Sequence, residues 1–169
     1  MHGSVLRAPV TGNVSTHEHA KEELGMTDVH EGGCLCGAVR YTVSSAPMRT
    51  IICHCTFCQR RTGSAFGFMP YFKQDDVRIT GALKSYEHRS DESNRLLRIE
   101  FCPNCGTTVS MTAEVFPGLR GIAGGTFDDR SWIKIHRHVW TRSAHPWVTV
   151  PSDVEKFPKT SVAQPPQVK

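Results

Sequence analysis

The seven cysteines of this 169-residue chain fall into three short groups. In chain order the groups are Cys34 and Cys36; Cys53, Cys55 and Cys58; and Cys102 and Cys105. Cysteine thiolates are preferred ligands of zinc, and close pairs that lie far apart in sequence can share one ion. An odd number of cysteines cannot all be paired in disulfides within one chain. The spacing therefore predicts zinc chemistry, with seven sulfurs to divide between ions.

The first and third groups have the form of two zinc knuckles. Cys102 and Cys105 are separated by two residues and followed by a glycine, and Cys34 and Cys36 are bracketed by glycines. Glycine lets the backbone bend so that two sulfurs can reach one ion. We assign these four cysteines to a closed structural zinc site, which leaves no free position for a substrate. The alternative is that the four thiols are free or form disulfides.

The second group, Cys53, Cys55 and Cys58, supplies only three sulfurs. Three protein ligands and one open position are typical of catalytic zinc, so we predict that these cysteines are catalytic residues and hold a second ion. The alternative is that His54 or another histidine completes a second closed site. His54 lies between two of the ligands, so its side chain is expected to point away from their metal.

Residues near the second group could contact a substrate. Arg60 and Arg61 follow it directly, and an arginine can bind a carboxylate through forked hydrogen bonds or simply offset thiolate charge. Gly125 lies in the glycine-rich bend 124–129, where the backbone could approach a ligand closely or merely turn. We predict Arg60 and Gly125 as contacts to the substrate, whose identity the whole set of motifs indicates below.

Aromatic residues and histidines give weaker signals. Phe66, Phe68 and Tyr71 could wall a pocket, although a place in the core is the simpler interpretation. His136 and His138 alternate on a predicted strand, where we expect exposed side chains, with a supporting role around the metal as the alternative.

The amino-acid composition and net charge limit the class of protein. Hydrophobic residues make up 38% of the chain and charged residues 21%, as expected of a soluble globular domain. The net charge of +4 is too small to argue for nucleic acid. No apolar run approaches the roughly 20 residues of a membrane helix, and the first residues lack the apolar region of a secretory signal. We therefore expect a cytoplasmic protein, in a compartment where thiols stay reduced.

Short alternating apolar and polar stretches predict a mostly β fold built from small antiparallel sheets with few short helices. Strands are predicted at 38–43, 65–72, 95–101, 107–111, 122–127 and 133–140, and a hairpin at 77–87 around Gly81. A single helical turn is predicted at 56–61, ended by Gly63. Residues 1–29 are expected to be a flexible extension, residues 30–158 the domain, and residues 159–169, which are rich in proline, a disordered tail.

The motifs together resemble the glutathione-dependent formaldehyde-activating enzyme family, which includes centromere protein V-like proteins. The matching pieces are GCLCGAVRY at 33–41, CHCTFCQR at 53–60, FCPNCG at 101–106, GTFD at 125–128 and the region 147–157. The likeness covers about residues 30–158, and the combined cysteine array in this order is specific. It implies a zinc-supported fold of the Mss4-like type, two zinc ions with the same ligand division, and addition of glutathione to formaldehyde to give S-hydroxymethylglutathione.

The leading hypothesis is therefore a carbon–sulfur lyase that acts on an adduct of glutathione or a similar thiol, with a small-molecule thiol and an aldehyde as partners. A second hypothesis is a non-catalytic zinc module that binds a protein or carries glutathione. A third and weaker one is nucleic-acid binding through Arg60, Arg61, Arg137 and Arg142, which would be strongly salt-dependent. Sequence does not identify the oligomeric state.

Overall fold

The computed structural model describes residues 29–91 and 93–162 of the chain. Within these residues it contains eleven strands and one α-helix, so the prediction of a mostly β fold is confirmed. The strands are β1 His30–Gly33, β2 Arg40–Val43, β3 Arg49–Cys53, β4 Gly67–Lys73, β5 Val77–Thr80, β6 Lys84–Arg89, β7 Leu96–Phe101, β8 Thr108–Ala113, β9 Leu119–Ile122, β10 Arg137–Val139 and β11 Glu155–Phe157. The helix is α1 Thr56–Thr62. Most of the predicted N-terminal extension and the end of the tail lie outside the described residues.

The described strands form two sheets. The smaller sheet has the order β1-β2-β5 and the larger one the order β11-β10-β3-β4-β9-β8-β7-β6. Pairing is antiparallel except at β10, which runs parallel to both β3 and β11. The predicted helical turn is confirmed, since α1 begins after Cys55 and ends at Gly63, which has a left-handed backbone.

The predicted hairpin at 77–87 is wrong, although both of its strands exist. β5 pairs with β2 in the smaller sheet, whereas β6 pairs with β7 in the larger one. Gly81 lies where the chain passes between the sheets, with φ of 91° and so close to the backbone of Ala38 that a Cβ would lie 2.2 Å from its carbonyl oxygen. Two alternating strands around a glycine predict a turn, but which strand each one pairs with also depends on the tertiary packing.

Two further strand predictions are only partly right. The strand predicted at 122–127 is replaced by β9, which ends at Ile122, followed by a 3₁₀ turn at Gly124–Thr126. The strand predicted at 133–140 is reduced to β10, three residues long. Both segments contribute buried apolar side chains to the core, among them Ile122, Phe127 and Val139, and periodicity alone does not separate such residues from strand structure.

Two apolar clusters form the core. The first packs the smaller sheet on the larger and includes Tyr41, Phe72 and Phe127. The second includes Ile51, Tyr71 and Met111 of the larger sheet. Since Tyr71 and Phe72 are consecutive and both buried, strand β4 is covered on both faces. The first cluster contains Cys34 and Cys102, and Cys53 packs against the second, so each face of β4 leads to one of the two cysteine sites described below.

The chain continues over the larger sheet after β11. The backbone N–H of Trp140 donates to the carbonyl oxygen of Lys159 at 2.9 Å, and Val162 packs on the second cluster. The domain boundaries remain a prediction. Among the residues that the structure describes, no helix has the length and apolar character needed to span a bilayer.

Candidate metal centre

The four-cysteine cluster consists of Cys34, Cys36, Cys102 and Cys105, which two tight backbone turns bring together. In the first turn, the N–H of Gly37 donates to the carbonyl of Cys34; in the second, the N–H of Gly106 donates to that of Cys102. Both glycines have φ above 70°, a left-handed conformation that other residues adopt only with strain. The knuckles predicted from the sequence are thus local turns that each present two sulfurs on one side.

The distances between these sulfurs suit a tetrahedral zinc ion. The Sγ atoms of Cys34 and Cys36 are 3.5 Å apart, and those of Cys36 and Cys102 are 3.8 Å apart. Zn–S bonds of about 2.3 Å in a tetrahedron separate the sulfurs by about 3.8 Å. All four sulfurs lie within 4.8 Å of one another, so this donor set fits a structural zinc.

Thr107 supports the four-cysteine cluster and was not identified from the sequence. Its hydroxyl lies 3.1 Å from the sulfur of Cys105 and accepts the backbone N–H of Leu35 at 3.2 Å. The hydrogen bond from this hydroxyl is the main reason that the pKa of Cys105 falls to about 5. Thr107 therefore joins the two knuckles and stabilises one thiolate.

The three-cysteine cluster consists of Cys53, Cys55 and Cys58, which come from three successive structural contexts. Cys53 ends β3, Cys55 caps the N-terminus of α1, and Cys58 lies in the first turns of that helix. The Cys53 and Cys55 sulfurs are 3.4 Å apart, and the Cys58 backbone N–H donates to the Cys55 sulfur at 3.4 Å. The strand end and the short helix thereby direct the three sulfurs to one point.

Gly67 makes room for this cluster from the neighbouring strand. It is paired with Cys53, and a Cβ atom at Gly67 would lie 3.2 Å from the sulfur of Cys58 and 3.0 Å from a guanidinium nitrogen of Arg61. Its backbone does not have a positive φ, so the requirement for glycine is one of space. The space around the three sulfurs is thus set by a residue that the motif does not contain.

The electrostatics of the cluster favour one thiolate. Hydrogen bonds from the side chains of Cys53 and Cys58 lower the pKa of Cys55 to about 3, against the opposing effect of burial. The pKa of Cys53 is raised well above its usual range, mainly because it donates to Cys55. The hydrogen bond with Cys53 lowers the pKa of Cys58, but the hydrogen bond to Cys55 and burial raise it, and the net value is about 11 although the cationic Arg61 opposes the rise. Negative charge is therefore concentrated on Cys55, and the nearby cation Arg61 acts on the neighbouring Cys58.

His54 is turned away from the sulfurs. It is fully buried, and its Nε2 lies 2.9 Å from Nδ1 of His138, which is also buried. The expectation that His138 is exposed is wrong. β10 lies between β3 and β11 in the larger sheet, and His138 is only 4% exposed. His136 is exposed, and its Nδ1 accepts the backbone N–H of Thr50 at 3.0 Å. These histidines hold β3 and β10 together instead of contributing to either group of sulfurs.

Gln59 fixes the segment that carries the three-cysteine cluster. Its side-chain nitrogen donates to the carbonyl oxygen of His54 at 2.8 Å and to that of Ser143 at 2.9 Å. It thus joins the loop before α1 to the chain after β10. Gln59 follows Cys58 directly in the sequence, but this position does not predict hydrogen bonds to the carbonyls of His54 and the distant Ser143.

A cavity of about 230 Å³ lies against the three-cysteine cluster, and all three cysteines line it. Its walls are mainly apolar side chains of the second core cluster, and most of its polar lining residues come from the β6–β7 turn and from 160–161. Two of its lining side chains, Phe57 in α1 and His88 in β6, stack directly on each other, with ring centroids 4.1 Å apart and an angle of 8°. In the sheet order, β3 and β6 are separated by four strands, so the larger sheet curls around this cavity.

The predicted substrate contacts lie elsewhere in the structure. Arg60 is exposed near the end of α1, Gly125 is exposed in the 3₁₀ turn, and neither lines the cavity. Tyr71 does line it, whereas Phe66 lines a second pocket together with His138. The roles of Arg60 and Gly125 toward glutathione remain predictions.

The fold and the two clusters define a mostly β protein with cysteine sites that could hold metal. The chain belongs to the glutathione-dependent formaldehyde-activating enzyme family, whose model matches residues 29–143 and so includes all seven cysteines. This confirms the resemblance inferred from the motifs. A crystal structure of a Rhodobacter sphaeroides protein is similar with a TM-score of 0.48 and 23% identity, over 62% of this chain and 96% of that one.

Proposed function

We propose that this protein is a zinc-dependent carbon–sulfur lyase that forms or cleaves the adduct of glutathione, or a similar thiol, with an aldehyde such as formaldehyde. The observation that carries the proposal is the open side of the three-cysteine cluster: its sulfurs line a cavity, as a catalytic site with a free ligand position requires. Cys34, Cys36, Cys102 and Cys105 are proposed to hold a structural zinc, and residues 30–158 to form the functional domain.

The reaction is an addition without oxidation or reduction. The sulfur of the thiol bonds to the aldehyde carbon, the C=O π bond opens, and the proton of the thiol ends on the former carbonyl oxygen. The reverse reaction breaks the C–S bond. A zinc ion held by Cys53, Cys55 and Cys58 supplies Lewis acidity, which keeps a thiol beside it deprotonated at neutral pH.

The residues of the chain supply position and environment. Gln59 and the N-terminus of α1 hold the three sulfurs in place, and Arg61 offsets part of their negative charge. The polar lining of the cavity includes an anion, Asp91, and a cation, Arg95, which suit the amino and carboxyl groups of glutathione. Holding both reactants beside each other makes the addition effectively unimolecular, which can supply a large part of the rate gain.

We include a cytoplasmic location in the proposal, because thiols that serve as metal ligands must stay reduced. All seven cysteines are free of disulfides, including the pairs whose sulfurs lie 3.4–3.5 Å apart. Such neighbouring thiols persist in a reducing compartment or when bound to metal.

Exchange NMR on formaldehyde plus glutathione tests the proposal, because it reports the rate of adduct formation above the spontaneous background. The zinc-loaded protein is expected to accelerate exchange, and Cys55→Ser to abolish the acceleration together with one of two zinc ions per chain. Ser64→Ala, an exposed position just after α1, is the matched control and should behave as wild type.

Absence of any acceleration by protein with both zinc ions bound would refute the lyase proposal. Saturable glutathione binding without acceleration would instead support the non-catalytic carrier. Acceleration that survives Cys55→Ser would separate the activity from the three-cysteine cluster.

A further inference from the structure

The cavity beside the three-cysteine cluster is larger and more apolar than formaldehyde needs. Formaldehyde contributes one carbon and one oxygen, and glutathione is polar along most of its length. The cavity measures about 230 Å³, whereas an engineered apolar cavity of about 150 Å³ in another protein is sufficient to hold benzene. The adduct of glutathione with formaldehyde has almost no apolar surface to place against apolar walls.

The apolar walls are buried and come from both halves of the curled sheet. The residues that form them are Ile51, Tyr71, Leu97, Met111, Phe116 and Trp140. Tyr71 and Met111 are each 5% exposed, and Ile51 is 6% exposed. Binding pockets are typically apolar cavities with a few polar groups that orient the ligand, and here the reactive sulfurs share one cavity with the apolar walls.

Ala113 lines this cavity with a small side chain. It lies at the end of β8, paired with Leu97 of β7, and both side chains line the cavity. A larger side chain at 113 would extend into the cavity. Val115, two residues further on and only partly buried, lines the same space.

We propose that the cavity receives the apolar group of an aldehyde larger than formaldehyde, and that its preferred adduct joins glutathione to an aromatic aldehyde. The inference rests on the proposed lyase function and specifies its carbonyl substrate. The chemistry balances as before: the S–C bond forms, and the thiol proton passes to the carbonyl oxygen. The aromatic ring lies against the apolar walls, and the peptide part of glutathione meets the polar residues of the lining.

Two unreactive thioethers test the inference by binding alone. S-benzylglutathione places a phenyl ring where the aromatic aldehyde would put it, and S-methylglutathione is the matched probe without the ring. Calorimetric titration of the zinc-loaded protein should show that the benzyl compound binds about tenfold tighter or more, because burial of the ring removes apolar surface from water. Exchange NMR should likewise show greater acceleration with benzaldehyde than with formaldehyde.

Ala113→Phe should remove the preference for the benzyl compound by filling its space. Ala82→Phe is the matched control, since residue 82 is exposed in the segment between β5 and β6. Thermal unfolding establishes that each variant is folded. Val115→Phe provides a second test at a less buried position, should Ala113→Phe fail to fold.

The outcomes separate this inference from the function on which it rests. Equal affinity for both thioethers, with formaldehyde exchange still accelerated, would overturn the aromatic substrate and leave the lyase in place. A benzyl preference that persists in the folded Ala113→Phe and Val115→Phe variants would also overturn it. Failure to bind either compound, together with no acceleration for either aldehyde, would overturn both proposals.

Discussion

Gly67→Ala offers a sharp test of the three-cysteine cluster, because the substitution adds one methyl group beside the sulfur of Cys58. The new Cβ would lie 3.2 Å from that sulfur and 3.0 Å from a guanidinium nitrogen of Arg61, whereas ordinary contact begins at 3.4 Å. Gly67 is the first residue of β4 and pairs with Cys53, the last residue of β3, so a backbone shift at 67 would also displace a cysteine of the cluster. Whether the backbone or the neighbouring side chains move, the arrangement of the three sulfurs changes.

The expected cost can be estimated from the tolerance of metal sites. Zinc sites keep their ligand distances within about 0.2 Å, and the displacement required here is a few tenths of an ångström. Loss of groups that orient metal ligands typically lowers affinity 10–100-fold. We expect a similar weakening of zinc at Cys53, Cys55 and Cys58, equivalent to about 1.4–2.7 kcal/mol, and no change at the four-cysteine cluster.

Competition between the protein and a chromophoric chelator measures this change under reducing conditions, where two classes of zinc site should be resolved. Gly67→Ala should shift only the weaker class. Gly125→Ala is the matched control, because a Cβ at Gly125 meets nothing within 4 Å. If Gly67→Ala bound two zinc ions as tightly as wild type, the three sulfurs would not form the second metal site in this arrangement.

Three further predictions concern the two clusters and the core. Cys105→Ser should abolish cooperative thermal unfolding, because binding of a structural zinc contributes about 10–16 kcal/mol and a typical domain is stable by only about 5–15 kcal/mol. Cys55→Ser should still unfold cooperatively. The reverse pattern would mean that the three-cysteine cluster, and not the four-cysteine cluster, is the structural site. Gln59→Ala should lower the free energy of unfolding by about 1–3 kcal/mol, since two backbone carbonyls lose their donor, and denaturation in urea that matches wild type would contradict this. Burial raises the pKa of Tyr41 above its ordinary range, so the unfolded chain loses this proton at a lower pH than the folded protein. The free energy of unfolding should therefore keep its full value below pH about 10 and fall by about 1.4 kcal/mol per pH unit above it. Tyr41→Phe should lack this alkaline loss, and an identical pH profile in denaturant titrations would show that Tyr41 does not cause it.

Local features of the fold follow closely from the sequence. The helix after Cys55 was predicted with its end at Gly63, since the length of a short helix is governed by its own residues and their caps. The two knuckles were likewise predicted, because the sulfurs of Cys102 and Cys105 are brought together by a turn of only four residues. Alternation of apolar side chains located most strands for the same reason: the period of a strand is a local property.

The pairing of strands was not predictable in this way. The segment 77–87 has the pattern of a hairpin, yet its two strands join different sheets. His138 has the sequence context of an exposed strand residue, but the parallel strands on either side of β10 bury it against His54. β2, which pairs with β5, and His54, which contacts His138, lie tens of residues away from their partners, and periodicity carries no information about them.

The same distinction between local and long-range features applies to the chemistry of the site. Sequence by itself determined which residues can bind metal, because thiolate ligands and their spacing are properties of the chain, and it indicated the family through the order of its cysteine motifs. Only the tertiary structure decided what surrounds the sulfurs of Cys53, Cys55 and Cys58. The curl of the larger sheet brings β6, β7 and β8 over α1, so that an apolar cavity forms from residues distant in sequence. Such a cavity depends on how the sheet closes, which is a result of packing over the whole domain and not of any one segment.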